Sequence, residues 1–299
     1  MRITVLALLW GSTFLWIKLA LHDLPAGYVT AIRCALGAAV LYILCRATRS
    51  RLPRGRAIWR HIIIAALLCN AIPFALFSIG EQTVDSGVAG VLNATTPLWS
   101  LLIGLSLGTE RRPRAPRIIG LALGFAGVLV IFAPWQHTNA TGWGVAALLT
   151  AAASYAIAFQ YMGRHLAGTG TSTISLSAAQ LLAATGLTSI ALPVTPSISL
   201  PVSPTGLVAM TILGVFATGI TFHLTFRTIA TEGATQAATV GYLLPVVSVL
   251  LGAIVLGEPV DLRVVTGMTV VLVGVALTRW RAADTTRSTD TGEPVTTAV

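Results

Sequence analysis

The sequence predicts an all-α polytopic membrane protein, with ten transmembrane helices arranged as two inverted-topology five-helix repeats. Three observations carry this. Charged residues make up only 10% of the 299 positions while hydrophobic residues reach 55%, against about 25% charged in an ordinary soluble domain. The apolar residues fall into continuous runs as long as a bilayer is thick. A spacing of Pro, Glu and Gly recurs at half the chain length.

Such a composition cannot cover a water-soluble surface of this size, and the long apolar runs exclude disorder for most of the chain. The net charge of +9 does not read as a nucleic-acid surface, because the basic residues sit in short clusters between apolar runs, as in cytoplasmic loops. Cys34, Cys45 and Cys69 all lie in apolar runs, odd in number and without metal spacing. They read as small core residues. No metal and no cofactor is implied.

The ten runs are approximately 3–21, 27–45, 61–80, 86–107, 117–134, 143–161, 174–193, 205–226, 236–256 and 264–280, each close to the ~20 residues that cross the hydrocarbon core. They do not alternate, which argues against a β-barrel. The first run has no clear cleavage site after it and reads as the first permanent span. The tail 281–299, rich in Thr, Asp and Arg, is expected to be disordered. With the N-terminus inside, sixteen of the nineteen Lys and Arg fall in interior segments, Arg263 alone lies outside, and Lys18 and Arg33 lie within spans. That asymmetry places both termini in the cytoplasm of a cytoplasmic (inner) membrane protein. Trp59, Trp135, Trp143 and Trp280 stand at span ends as interfacial anchors.

Pro97 is followed by Glu110, Gly120 and Gly127; Pro245, 148 positions later, is followed by Glu258, Gly267 and Gly274. The chain divides into residues 1–134, residues 135–280 and the tail. Five spans per unit is odd, so the second copy enters the membrane from the opposite side. That architecture belongs to secondary transporters, and no nucleotide-binding Gly-x-x-x-x-Gly-Lys-[Ser/Thr] motif occurs.

At these residues the chain resembles the EamA family of the drug/metabolite transporter superfamily. The resemblance lies in Trp10-Gly11-Ser12-Thr13-Phe14 with Lys18, in Arg33, in Gly87 through Leu98 ending at Leu107-Gly108-Thr109-Glu110, and in Gly233-Ala234, Tyr242-Leu243-Leu244-Pro245 and Leu256-Gly257-Glu258. The second copy departs from the first: Ser154-Tyr155-Ala156 stands where the first has Trp-Gly-Ser, and Gln180 occupies the place of Arg33. The resemblance implies a ten-helix fold with a central cavity between the halves, and names no substrate.

Polar groups inside a membrane are costly unless paired or facing a cavity, so they mark a transport path. Arg33, whose insertion costs roughly 2.5–3.5 kcal/mol, is either an anion clamp in the outer half of the cavity or a cation that snorkels or pairs with Asp23 or Glu81. Lys18 either snorkels outward or serves substrate and gate. Pro97 and Pro245 kink their spans and read as hinges. Asn93 and Thr96 beside the first kink, and Tyr242 beside the second, either line the cavity or satisfy the kink locally. Trp10, Trp99 and Tyr155 are candidate aromatic walls, with helix packing as the alternative. Gln180 completes the substrate-binding set, and Gln82, Gln160 and His223 are lesser candidates. Glu110 and Glu258 read as structural members of the repeat, pairing with nearby Arg or helix amides. The sequence places no carboxylate deep in a span and so offers no Asp/Glu proton relay.

The expected function is a secondary transporter, an exporter of a small amino acid-like, zwitterionic or amphipathic metabolite. Its partners are that small-molecule substrate and the lipid bilayer, with no nucleic acid. Gly104-x-x-x-Gly108 and Gly120-x-x-x-Gly124 allow a homodimer or internal packing. The alternative is a membrane-embedded enzyme acting on lipid or a lipid-linked substrate. The scattered His22, His61, His137, His165 and His223 give it no metal or nucleophile constellation.

Overall fold

A computed structural model describes residues 2–84, 86–108, 115–133, 142–195, 202–244, 246–247 and 261–280. Among these residues every regular element is helical. The elements are α1 (Arg2–Gly11), α2 (Thr13–Leu21), α3 (Ala26–Ala47), α4 (Arg56–Ala66), α5 (Ile72–Gly80), α6 (Ser86–Asn93), α7 (Thr96–Ser106), α8 (Ala115–Phe132), α9 (Trp143–His165), α10 (Thr173–Ser189), α11 (Pro204–Thr211), α12 (Thr221–Glu232), α13 (Ala234–Ala238) and α14 (Leu262–Trp280). Pro245, Glu110, Glu258 and the tail lie outside the described residues.

Five stretches among the described residues are long and apolar enough to cross a membrane: Thr4–Leu21, Ala26–Ala47, Arg56–Gly80, Trp143–His165 and Pro204–Glu232. Shorter apolar helices occupy Thr96–Ser106, Ala115–Ile131 and Leu262–Leu277. Large apolar side chains such as Leu8, Ile43, Leu102, Ile119, Leu207 and Leu272 are exposed on the outer surface. An apolar exterior is stable where the solvent is hydrocarbon, and all-helical backbone satisfies its own hydrogen bonds there. The protein is an integral membrane protein.

Several long helices are interrupted, each time with local repair. The first span breaks at Ser12, where the Ser12 hydroxyl donates to the Leu9 carbonyl at 2.9 Å. The run from Ser86 to Ser106 breaks after Asn93, immediately before Pro97. There the Thr95 and Thr96 hydroxyls donate to the Leu92 and Asn93 carbonyls at 2.6 and 2.7 Å. Proline removes a helix donor, and side-chain hydroxyls re-satisfy the freed carbonyls. Two spans instead widen into π-helical turns, at Leu67–Ala71 and Ile212–Ile220. Such turns arise where extra hydrogen-bonding demand enters the ladder, often at functional positions.

The packing pairs elements of the two halves of the chain. The second-span helix α3 packs along α10, α5 packs on α9, α2 packs on α11, and α8 packs on α14. The last pair is the closest. A Cβ on Gly127 would sit 2.8 Å from the Gly267 carbonyl oxygen, and one on Gly274 would sit 2.5 Å from the Gly124 nitrogen and 2.7 Å from the Gly120 carbonyl oxygen. The glycines that recur in the two halves of the sequence thus lie against one another. Absence of side chains lets the backbones meet, which is how helices associate without a hydrophobic drive between them. Gly120-x-x-x-Gly124 is therefore engaged inside the molecule.

Replacing Gly274 by Ala should destabilise the protein by about 1–3 kcal/mol, the usual penalty for overpacking against a backbone that cannot yield. The thermal midpoint of the detergent-solubilised protein, followed by size-exclusion fluorescence, should fall by several degrees. Gly186→Ala in α10, where a Cβ would meet nothing within 4 Å, should leave the midpoint unchanged or raise it.

Candidate functional site

A narrow cavity lies between the two halves. Trp10, Thr13, Phe14, Ile17, Arg33, Phe77, Asn93 and Thr96 line it from the first half, and Tyr155, Phe159, Ala238, Gly241 and Leu244 from the second. The walls are largely aromatic. Trp10 stacks on Phe159 with centroids 6.1 Å apart and meets Tyr155 edge-on at 6.3 Å; Phe14 lies 5.8 Å from Phe77, which lies 6.0 Å from Tyr155. Such offset and edge contacts hold rings in fixed positions.

Arg33 is the charged member of the lining and is only 2% exposed. Its Nε donates to the Thr218 hydroxyl at 3.1 Å, and its Cζ lies 3.7 Å from the centroid of the Phe74 ring. Thr218 belongs to the π-helical turn Ile212–Ile220 and passes its own proton to the Leu213 carbonyl at 2.7 Å. The widened turn thereby leaves a hydroxyl lone pair for the guanidinium. Phe74 supplies a cation–π contact that favours a desolvated cation. Of the acids considered as partners, Asp23 is occupied elsewhere: it accepts from the Ser203 amide at 3.2 Å and from the Ser203 hydroxyl.

Gln180 takes part in a second contact of the same form. Its Nε2 donates to the Asn70 Oδ1 at 2.6 Å, and Asn70 lies in the other π-helical turn, Leu67–Ala71. Asn70 and Thr218 stand 148 positions apart, as Pro97 and Pro245 do. One side chain of α3 thus reaches the π-turn of the second half, and one side chain of α10 reaches the π-turn of the first. Gln180 is fully buried in this contact and is not part of the cavity lining.

Of the residues expected at the site, Trp10, Arg33, Asn93, Thr96 and Tyr155 converge on the cavity. Trp99 does not: it is 38% exposed on α7 and is not part of the cavity lining. Tyr242 is buried in the packing of Val246, Leu121 and Val271, and its ring closes the space beside Gly124. Gln160 joins the Ser100 carbonyl, at 3.0 Å, to the Thr235 hydroxyl, at 3.3 Å. Pro97 is buried at the start of α7. His223 is half-buried on α12, and Gln82 is exposed. Among the described residues no group of three His, Cys, Asp or Glu could hold a metal ion.

Lys18 and Glu81 form a contact that the sequence did not reveal. The Lys18 ammonium donates to the Glu81 backbone carbonyl at 3.3 Å. The Glu81 side chain is 1% exposed, and neither carboxylate oxygen has a hydrogen-bond partner. Glu81 follows the last residue of its span. Burial pushes its carboxyl well above the usual carboxylate range, against the opposing pull of Lys18 and Arg33.

The EamA-like transporter family profile matches the chain twice, over residues 3–133 and 142–280. The chain belongs to the EamA-like transporter family. The uncharacterized transporter YoaV of Bacillus subtilis is 24% identical over 275 residues, covering 90% of this chain and 92% of its own. The uncharacterized inner membrane transporter YedA of Escherichia coli K12 is 26% identical over 255 residues, covering 85% and 81%. A protein crystal structure superposes with a TM-score of 0.76 at 20% identity, covering 94% of this chain and 97% of that one; it shares the fold. Membership of the EamA-like family makes this protein a membrane transporter rather than an enzyme, acting on a small molecule within a bilayer.

Thr218→Val removes both the acceptor for the Arg33 Nε and the hydroxyl's bond to the Leu213 carbonyl within the π-turn. A hydrogen bond to a charged group contributes about 1.5–3 kcal/mol, so the thermal midpoint should drop clearly below that of wild type. Thr218→Ser, which restores the hydroxyl, should recover most of the loss.

Proposed function

We propose that the protein is a secondary exporter of a small amino acid-like, zwitterionic or amphipathic metabolite. One observation carries this reading: a guanidinium held at the wall of a largely aromatic cavity between the two halves. A carboxylate on the solute pairs with Arg33 in a charge-assisted contact, and its apolar part lies among Trp10, Phe14, Phe77, Tyr155 and Phe159. Water exclusion by these rings strengthens the pairing.

Movement follows from the architecture. We read the chain as ten spans in two inverted repeats, residues 1–134 and 135–280, with both termini in the cytoplasm. The twofold family match, the paired π-turns and the exchanged contacts Arg33–Thr218 and Gln180–Asn70 support this. Two halves of opposite orientation can exchange conformations, opening the cavity to one side and then the other. The glycine seam between α8 and α14 acts as the fixed part. The broken helices at Ser12 and before Pro97, with Pro245 as the counterpart in the second half, act as hinges.

The test is solute counterflow in proteoliposomes, using a mixture of 14C-labelled L-amino acids. Wild-type protein should exchange internal for external label, and Arg33→Ala should lose at least tenfold of that exchange while still inserting and purifying as a folded protein. Unchanged exchange by Arg33→Ala would remove the clamp from the account. Pro97→Ala should slow exchange several-fold while leaving the half-saturating concentration nearly unchanged. A change in half-saturation alone would contradict the hinge.

A further inference from the structure

Glu81 is a buried ionisable side chain to which the substrate cavity gives no role. It lies four residues after Phe77, on the same helical face, and Phe77 forms part of the cavity wall. Both carboxyl oxygens are enclosed without a donor. An ionised carboxylate so placed would lose its hydration and gain no hydrogen bond in return, whereas the neutral acid loses far less. Burial in this conformation therefore favours the neutral acid over the carboxylate.

Two basic side chains from other helices stand near that carboxyl. Lys18, from the first span, is itself exposed and donates to the Glu81 backbone carbonyl rather than to the carboxyl. Arg33, from α3, lines the cavity and acts on Glu81 electrostatically. On the α9 side, the neighbouring Gly80 rests on Leu148 and the Gly144 carbonyl, which carry no charge. Two cations from two spans thus bear on one carboxyl. Their positive field favours the carboxylate as soon as water reaches it.

We propose that Glu81 is a proton-binding site that couples solute export to inward proton movement. This rests on the transport reading above. At the outer mouth, parting of the Lys18 contact hydrates the carboxylate, which takes a proton from water and forms an O–H bond. Closure buries the neutral acid. When the cavity opens inward, that O–H bond breaks, the proton passes to cytoplasmic water, and the carboxylate left behind favours entry of a solute bearing an ammonium group. Coupling of this kind needs no nucleotide and uses the buried acid as the exchangeable element.

Infrared pH titration of the full chain in lipid nanodiscs reads the proton directly. The wild-type minus Glu81→Gln difference should contain a protonated-carboxyl band that persists at pH 7, and its absence there would overturn the proposal. In proteoliposomes, an inward-directed proton gradient should drive at least tenfold accumulation of the 14C L-amino acid mixture on the opposite side. Glu81→Gln should lose gradient-driven accumulation and the pH dependence of exchange, and Glu81→Asp should keep both with a shifted pH midpoint. Should Glu81→Gln fail to purify as a folded protein, the Glu81→Asp shift decides, and an unshifted midpoint counts against the proposal. Wild-type counterflow that ignores the gradient would overturn the coupling and leave the transport reading standing. Absence of wild-type counterflow would instead overturn the substrate reading, and the infrared band alone would then decide for or against a proton on Glu81.

Discussion

A guanidinium inside an apolar helical bundle is the constraint around which the rest is arranged. Arg33 would cost roughly 2.5–3.5 kcal/mol at the membrane centre without compensation. It is accommodated by one hydrogen bond to Thr218 and by the face of Phe74. Each support makes its own demand. Thr218 can accept from Arg33 because the π-helical turn directs its own proton back to the Leu213 carbonyl. Phe74 is buttressed by Phe222 at 5.7 Å in an edge-on contact. The charge is thus stabilised by groups of both halves, at the wall of the cavity.

The seam and the breaks divide the labour between rigidity and movement. Along α8 and α14 the backbones meet through Gly120, Gly124, Gly127, Gly267 and Gly274, and nothing there can shift without a clash. Around the cavity the helices are interrupted, and their exposed carbonyls are capped by Ser12, Thr95 and Thr96. Hydroxyl caps can exchange partners within one turn, so the interruptions tolerate bending without stranding polar groups in hydrocarbon. The wall residues Trp10, Asn93 and Thr96 lie at or beside these interruptions.

Much of this was legible in the sequence, because hydropathy over twenty residues depends on the bilayer rather than on tertiary contacts. The described spans start and stop within a few residues of the apolar runs, and Arg33 stood out because a lone cation in an apolar run has no cheap explanation. Gln180 was recognisable as the counterpart of Arg33, but not its engagement with Asn70, since π-turns reflect partners on other helices. Trp99 reads in the sequence as a candidate wall or a packing residue, and the structure leaves it partly exposed on α7, apart from the cavity lining. Glu81 is visible in the sequence only as a candidate partner for Arg33, and its burial is not. At a span end it looks interfacial, and only the packing of Lys18, α3 and α9 around it encloses the carboxyl.

The central claim is that the cavity between the halves opens alternately to the two faces of the membrane. Thr13 lies in the cavity wall and is buried, and the native Cys34, Cys45 and Cys69 are all buried. Labelling of a Thr13→Cys variant with a membrane-impermeant maleimide, applied to right-side-out and to inside-out vesicles with wild type as the background, tests the claim directly. Labelling from both sides, each slowed several-fold by saturating solute, is the expected result. Labelling from one side only, at a rate that solute leaves unchanged, would contradict the account.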